Sequence, residues 1–276
     1  VIGGLVTPLI QLVWSYTLDR NIRHCFMLDQ SVQTELLHFG KWIFLSTAMM
    51  FLATQTDRML LGKLFPIALF GIYSIAATLA EAPKTLVNAI SGQVVFPLIA
   101  MYKELPLPEL RHKILQKRKL LLAPLALLVA LFIGFGDVLI AVIYDTRYQE
   151  AGWILPILAL GVWPLILYAT IDRCLYVVEN PKYPALGNVL KFFYTIPCIP
   201  LAYTVAGKFG AVLAVAFNDI PPYLVINYGL HRKQLSGLCQ DAWATLLLVV
   251  LLSGILLFRY FAGLGMPGQS AFAVSH

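Results

Sequence analysis

The chain has 276 residues, of which 59% are apolar and only 12% charged, and its formal net charge is +6. Soluble domains sit near roughly 45–50% apolar and about 25% charged, so a soluble globular protein is excluded, as is a separate nucleic-acid-binding domain. A membrane β-barrel would show segments of alternating hydropathy. These runs are continuously apolar, so the expectation is an all-α polytopic transmembrane helix bundle.

Spans of about 20 residues are predicted near 1–18, 42–64, 69–96, 120–143, 153–171, 184–206, 210–230 and 242–262, about eight helices in all. The first run starts at Val1, already apolar, without the basic leader and cleavage site of a signal peptide. It reads as the last helix of a truncated N-terminal lobe. Residues 19–38 are expected to form a cytoplasmic linker, 39–262 a C-terminal transmembrane lobe, and 263–276 a disordered, Gly-rich tail.

In the second span Thr47, Thr54 and Arg58 share a helical face, and Asp57 adjoins Arg58. Each ionisable group at a bilayer centre costs about 2.5–3.5 kcal/mol on insertion scales. Arg58 either snorkels outward as a helix-end anchor or serves a polar path. In the third span Ala77, Glu81, Lys84, Asn88 and Ser91 recur at spacings of four, three, four and three, which places them on one face. Glu81 and Lys84 are expected to pair. The stripe then either faces another helix as a neutralised pair or lines a water-filled path.

The connection 101–119 is strongly basic (Lys103, Arg111, Lys113, Lys117, Arg118 and Lys119), whereas alternate connections carry only Arg58, Lys63, Arg147, Lys208 and Arg259. That asymmetry assigns 101–119 to the cytoplasm, with anionic lipid as its contact. The fifth span ends at Asp172–Arg173, which reads as an interface pair. In the sixth, Lys191 lies near Asn188 and Thr195 and either snorkels or meets a ligand. In the seventh, Asn218 and Asp219 precede Pro221–Pro222, which predicts a broken helix, either of the kind that binds ions and substrates in transporters or a plain structural kink.

The four cysteines show no paired spacing and read as reduced thiols. The histidines have no metal-binding spacing, and no GxxxxGK[ST] loop is present. No catalytic constellation, metal or cofactor is predicted, and the chain is expected not to be an enzyme.

The FGKW at Phe39–Trp42, DRMLLGKL at Asp57–Leu64, GIYSIA at Gly71–Ala76, VVFP at Val94–Pro97 and GAVLAVAFNDIPPYLVINYGLHR at Gly210–Arg232 together resemble the C-terminal half of polysaccharide flippases. These are the Wzx-like exporters of the multidrug, oligosaccharidyl-lipid and polysaccharide superfamily. The resemblance implies two pseudo-symmetric lobes around a central cavity in the bacterial inner membrane. Alternating access would carry an undecaprenyl-diphosphate-linked glycan between leaflets, with glycosyltransferases and a glycan polymerase as partners. It further implies that Lys84, Arg58 and Lys191 neutralise the diphosphate, while Glu81, Asp57, Asp219, Asn88 and Asn218 form a polar, ion-coupling stripe. The rival readings are a cation-coupled drug or metabolite exporter of the same superfamily, a membrane glycosyltransferase or polymerase, and a scaffold without transport.

Overall fold

Backbone groups in lipid must be satisfied within their own segment, which leaves long apolar runs little choice but the helix. A computed structural model describes residues 30–102 and 105–263, with 10, 11, 14, 265 and 267, and the elements among them are all helical. They are α1 (Gln30–Leu64), α2 (Ile67–Ile90), α3 (Phe96–Met101), α4 (Leu107–Ile143), α5 (Ala151–Ala169), α6 (Arg173–Val177), α7 (Lys182–Ala216), α8 (Ile220–Arg232) and α9 (Leu238–Phe261). A π-helical turn, Ser91–Val95, joins α2 to α3, and a 3₁₀ turn, Phe217–Asp219, joins α7 to α8. The chain divides into two compact units, Val1–His38 and Phe39–His276, and the second holds every contact described below. Most of the expected helix at 1–18, residues 19–29 of the linker with Cys25, and most of the 263–276 tail lie outside the described residues.

Five stretches are long and apolar enough to cross a membrane: Leu36–Leu64, Leu107–Ile143, Ala151–Val177, Lys182–Arg232 and Leu238–Phe261. The chain is a multi-pass membrane protein. The expected span at 69–96 is helical as α2 but is not among the five, because Glu81 and Lys84 dilute its hydropathy. The 51-residue stretch from Lys182 contains both spans expected there. Its helix breaks at Ala206 and Gly207, where Gly207 takes φ +56°, a left-handed conformation that glycine adopts without steric cost. The chain reverses at this point: a Cβ on Gly210 would lie 2.1 Å from the Ala202 carbonyl oxygen, eight residues earlier. Each limb of about 25 residues rises roughly 37 Å, enough for one crossing.

α5 occupies the centre. It is apolar on every face, as a helix buried all round must be, and it packs against α2, α4, α7 and α8. Its Gly161 permits the closest approach. A Cβ there would sit 2.1 Å from the Ala216 carbonyl oxygen, so the glycine brings α5 onto the end of α7, beside the 3₁₀ turn.

Two expectations about charge placement are corrected here. Residues 107–119 form the first turns of α4 and not a loop, since Pro106 and Pro108 suit a helix start. Within them Arg118 is buried, paired with Asp241 of α9 at 2.5 Å. Arg259, read from sequence as a loop cation, is likewise buried and makes a two-point contact with Asp137 at 2.6 and 2.7 Å. A buried guanidinium requires a carboxylate, and in both cases the partner lies on the other helix of the α4–α9 pair.

Candidate functional site

The helices of the second unit surround a cavity of about 550 Å³. Ser46, Thr47, Met50 and Thr54 of α1 form one wall, and Glu81, Lys84, Thr85 and Asn88 of α2 the next. Tyr168 of α5, Asp172 and Arg173 at the start of α6, and Asn188 and Lys191 of α7 complete the polar lining. A small chamber of about 60 Å³ shares Thr54, Glu81, Lys84 and Lys191 with this cavity and adds Asp57, Arg58, Ala77 and Asn218. A separate hollow of about 570 Å³ beside Arg111 and His231 has no buried ionisable group in its lining.

Behind the wall sits Asp219, fully buried in the 3₁₀ turn. Its Oδ1 accepts hydrogen bonds from Lys191 Nζ at 2.7 Å and from the Tyr168 hydroxyl at 3.0 Å. Its Oδ2 accepts no hydrogen bond among the described residues and faces Lys84 Nζ at 4.0 Å. The two lysines differ in access: Lys84 has a third of its side chain exposed, Lys191 only 7%. One carboxylate thus holds two ammonium groups, and the set retains a formal excess of one positive charge.

The expected Glu81–Lys84 pair is not formed. Side chains three residues apart on a helix diverge by about 60°, and here each finds its partner on another helix. Glu81 accepts from Arg58 Nη2 at 2.9 Å, while Lys84 turns toward Asp219. Lys191 does not snorkel, since its ammonium points into the bundle. Asp172 and Arg173, expected as an interface pair, lie 3.7 Å apart and line the cavity wall. The predicted break before Pro221–Pro222 is present, because α8 starts there.

All eight sequence-selected residues therefore lie on the cavity (Lys84, Lys191, Glu81, Asn88), on the chamber (Arg58, Asp57, Asn218) or directly behind the lysines (Asp219). Sequence reasoning missed Tyr168, Asp172 and Arg173. The available signal was the apolar CLYVV that follows Arg173, which extends the apolar stretch to Val177 and so places the pair inside it. Arg173 Nε donates to Ser91 Oγ at 3.2 Å, and Ser91 in turn donates to the Ala169 carbonyl, which ties the π-helical turn to the end of α5. Among the described residues no group of three His, Cys, Asp or Glu side chains is placed to hold a metal ion.

Chemically, Lys84, Arg173 and Lys191 offer strong donors to an anion, and Arg173 adds a planar fork suited to phosphate or carboxylate oxygens. Asn88 and Asn188 supply neutral polar groups on the same walls, though Asn188 already donates to Ser46 Oγ at 2.8 Å.

Residues 1–152 match the family described as polysaccharide biosynthesis protein. The amylovoran biosynthesis protein AmsL of Erwinia amylovora is 25% identical over 143 residues, covering 51% of this chain and 36% of the relative. The chain thus spans little more than a third of that relative's length. No solved structure matches. With more than half of its residues matched and a multi-pass helical architecture around a charged cavity, the chain belongs to the polysaccharide biosynthesis protein family.

Proposed function

We propose that the protein exports polysaccharide precursors, flipping an undecaprenyl-diphosphate-linked glycan from the cytoplasmic to the outer leaflet of the bacterial inner membrane. The observation that carries this reading is the convergence of Lys84, Arg173 and Lys191 on one cavity of about 550 Å³. Intramembrane cations are costly unless they serve a polar ligand or path, and a diphosphate head supplies the matching charge. The relative's name ties it to amylovoran biosynthesis, which supports a glycan as the cargo. Phe39–Ala262 acts in this reading as one lobe of an alternating-access transporter, with glycosyltransferases and a glycan polymerase on either side of it in the pathway. The protein is a carrier and not an enzyme.

The test is complementation of a strain lacking its own flippase with the full-length gene. Lys84→Ala, Arg173→Ala and Lys191→Ala should each lower surface polysaccharide by about tenfold or more, since a charge-assisted hydrogen bond contributes roughly 1.5–3 kcal/mol. Undiminished export by all three, at native protein levels, would refute the reading. The rival, a cation-coupled drug or metabolite exporter, draws on the acids Asp57, Glu81, Asp172 and Asp219 around the same space. It predicts that drug resistance, rather than surface glycan, follows these mutations.

A further inference from the structure

Asp219 occupies the N-cap position of α8, where an aspartate ordinarily accepts a hydrogen bond from the backbone N–H of the second or third helical residue. Those residues are Pro221 and Pro222, which have no N–H to give. The side chain accordingly makes no cap hydrogen bond, and its carboxylate is released for other partners. It turns to Lys191 and Tyr168 with one oxygen and presents the other to Lys84. The Asp-Ile-Pro-Pro sequence thus does more than break a helix.

We propose that Asp219 is a positioning residue that holds Lys84 and Lys191 together as a two-point clamp selecting a diphosphate over a monophosphate head. This rests on the transport reading above. Two ammonium groups left alone in the bundle would repel and separate. The shared carboxylate keeps both against it, Lys191 at 2.7 Å and Lys84 at 4.0 Å, so that two phosphates of one head can each meet a cation. The looser contact belongs to the more exposed lysine, which is the one free to swing toward a ligand while Lys191 stays anchored. Tyr168 fixes the carboxylate from α5. The other charges nearby, Asp57, Arg58 and Glu81 on the chamber and Asp172 and Arg173 on the cavity wall, leave this arrangement without a competing carboxylate hydrogen-bonded to either lysine.

The experiment uses the full-length protein in lipid nanodiscs, with undecaprenyl diphosphate and undecaprenyl monophosphate as separate probes. The native protein should prefer the diphosphate. Asp219→Asn should lose that preference by about tenfold or more, a loss of one charge-assisted contact, with less effect on the monophosphate, and Asp219→Glu should restore part of it. Reductive methylation followed by mass spectrometry supplies a readout that needs no ligand: Lys191 should label faster in Asp219→Asn, while the exposed Lys117 labels as before. A preference unchanged in Asp219→Asn, or equal loss of both lipids without rescue by Asp219→Glu and without faster Lys191 labelling, overturns the clamp while the transport reading stands. Failure of the native protein to bind either lipid overturns the transport reading and the selectivity together.

Discussion

Arg118 places a guanidinium inside the bundle and surrounds it with acceptors. Nε donates to Thr170 Oγ1, and Nη1 to Gln240 Oε1. Nη2 donates to both the Leu167 carbonyl and Asp241 Oδ1. The Tyr223 hydroxyl donates to the second Asp241 oxygen at 3.1 Å. Breaking a buried pair by removing one partner costs about 3–5 kcal/mol, whereas replacing both with apolar groups is often neutral. Arg118→Leu should therefore lower the melting temperature in detergent markedly, and Arg118→Leu combined with Asp241→Leu should recover most of the loss. A double variant as unstable as the single one would show that the remaining contacts of Arg118, and not the ion pair, hold this site. None of this was legible in the sequence. Arg118 sits between Lys117 and Lys119 in a basic run and reads as one more interfacial cation, and its carboxylate partner lies 123 residues away. The same limit explains Glu81 and Lys84: periodicity names the face a side chain occupies but not the helix it meets.

α5 and α7 were largely readable as helices. Their apolar runs fix the spans, and Pro221–Pro222 mark the start of α8. What the pattern could not show is how closely they approach. Gly161 meets the Ala216 backbone, and backbone cannot swing aside as a flexible side chain does. Gly161→Ala should cost about 1–3 kcal/mol through overpacking, with the 3₁₀ turn that carries Asp219 displaced as well. Thermal unfolding checks the first effect and diphosphate-lipid binding the second. Gly254→Ala on α9 is the control, since an added Cβ there meets nothing within 4 Å; helix propensity makes it neutral or slightly stabilising. Equal losses from the two variants would deny the α5–α7 contact its special role. The stretch around Asp172–Arg173 shows a related limit: the helix ends at Ala169, yet Asp172, Cys174, Leu175 and Val177 beyond it are buried, and a sequence pattern that marks a helix end does not mark where burial stops.

Across the second unit the apolar contacts form three clusters. One gathers Leu61, Tyr73, Trp153 and Val212, another Val129, Val162, Trp163 and Leu248, and the third Ile99, Ile114, Leu175 and Leu230. The cavity opens among helices α1, α2, α5, α6, α7 and α8, whereas no described residue of α4 or α9 lines it. Those two are joined by Arg118–Asp241 and again by Arg259–Asp137, at opposite ends of their contact. The pairs have a consequence for biosynthesis. Until α9 emerges, α4 carries Arg118 and Asp137 without their ionic partners; about 28 Å apart along the helix, they lie toward its two ends, where each costs less than the roughly 2.5–3.5 kcal/mol of a charge at the bilayer centre. A nascent chain stopped before Leu238 should therefore hold α4 less firmly, its cysteine-substituted positions reacting with aqueous maleimide and becoming protected once α9 is made. α9 thus acts as a latch on a helix that begins more than a hundred residues earlier in the chain.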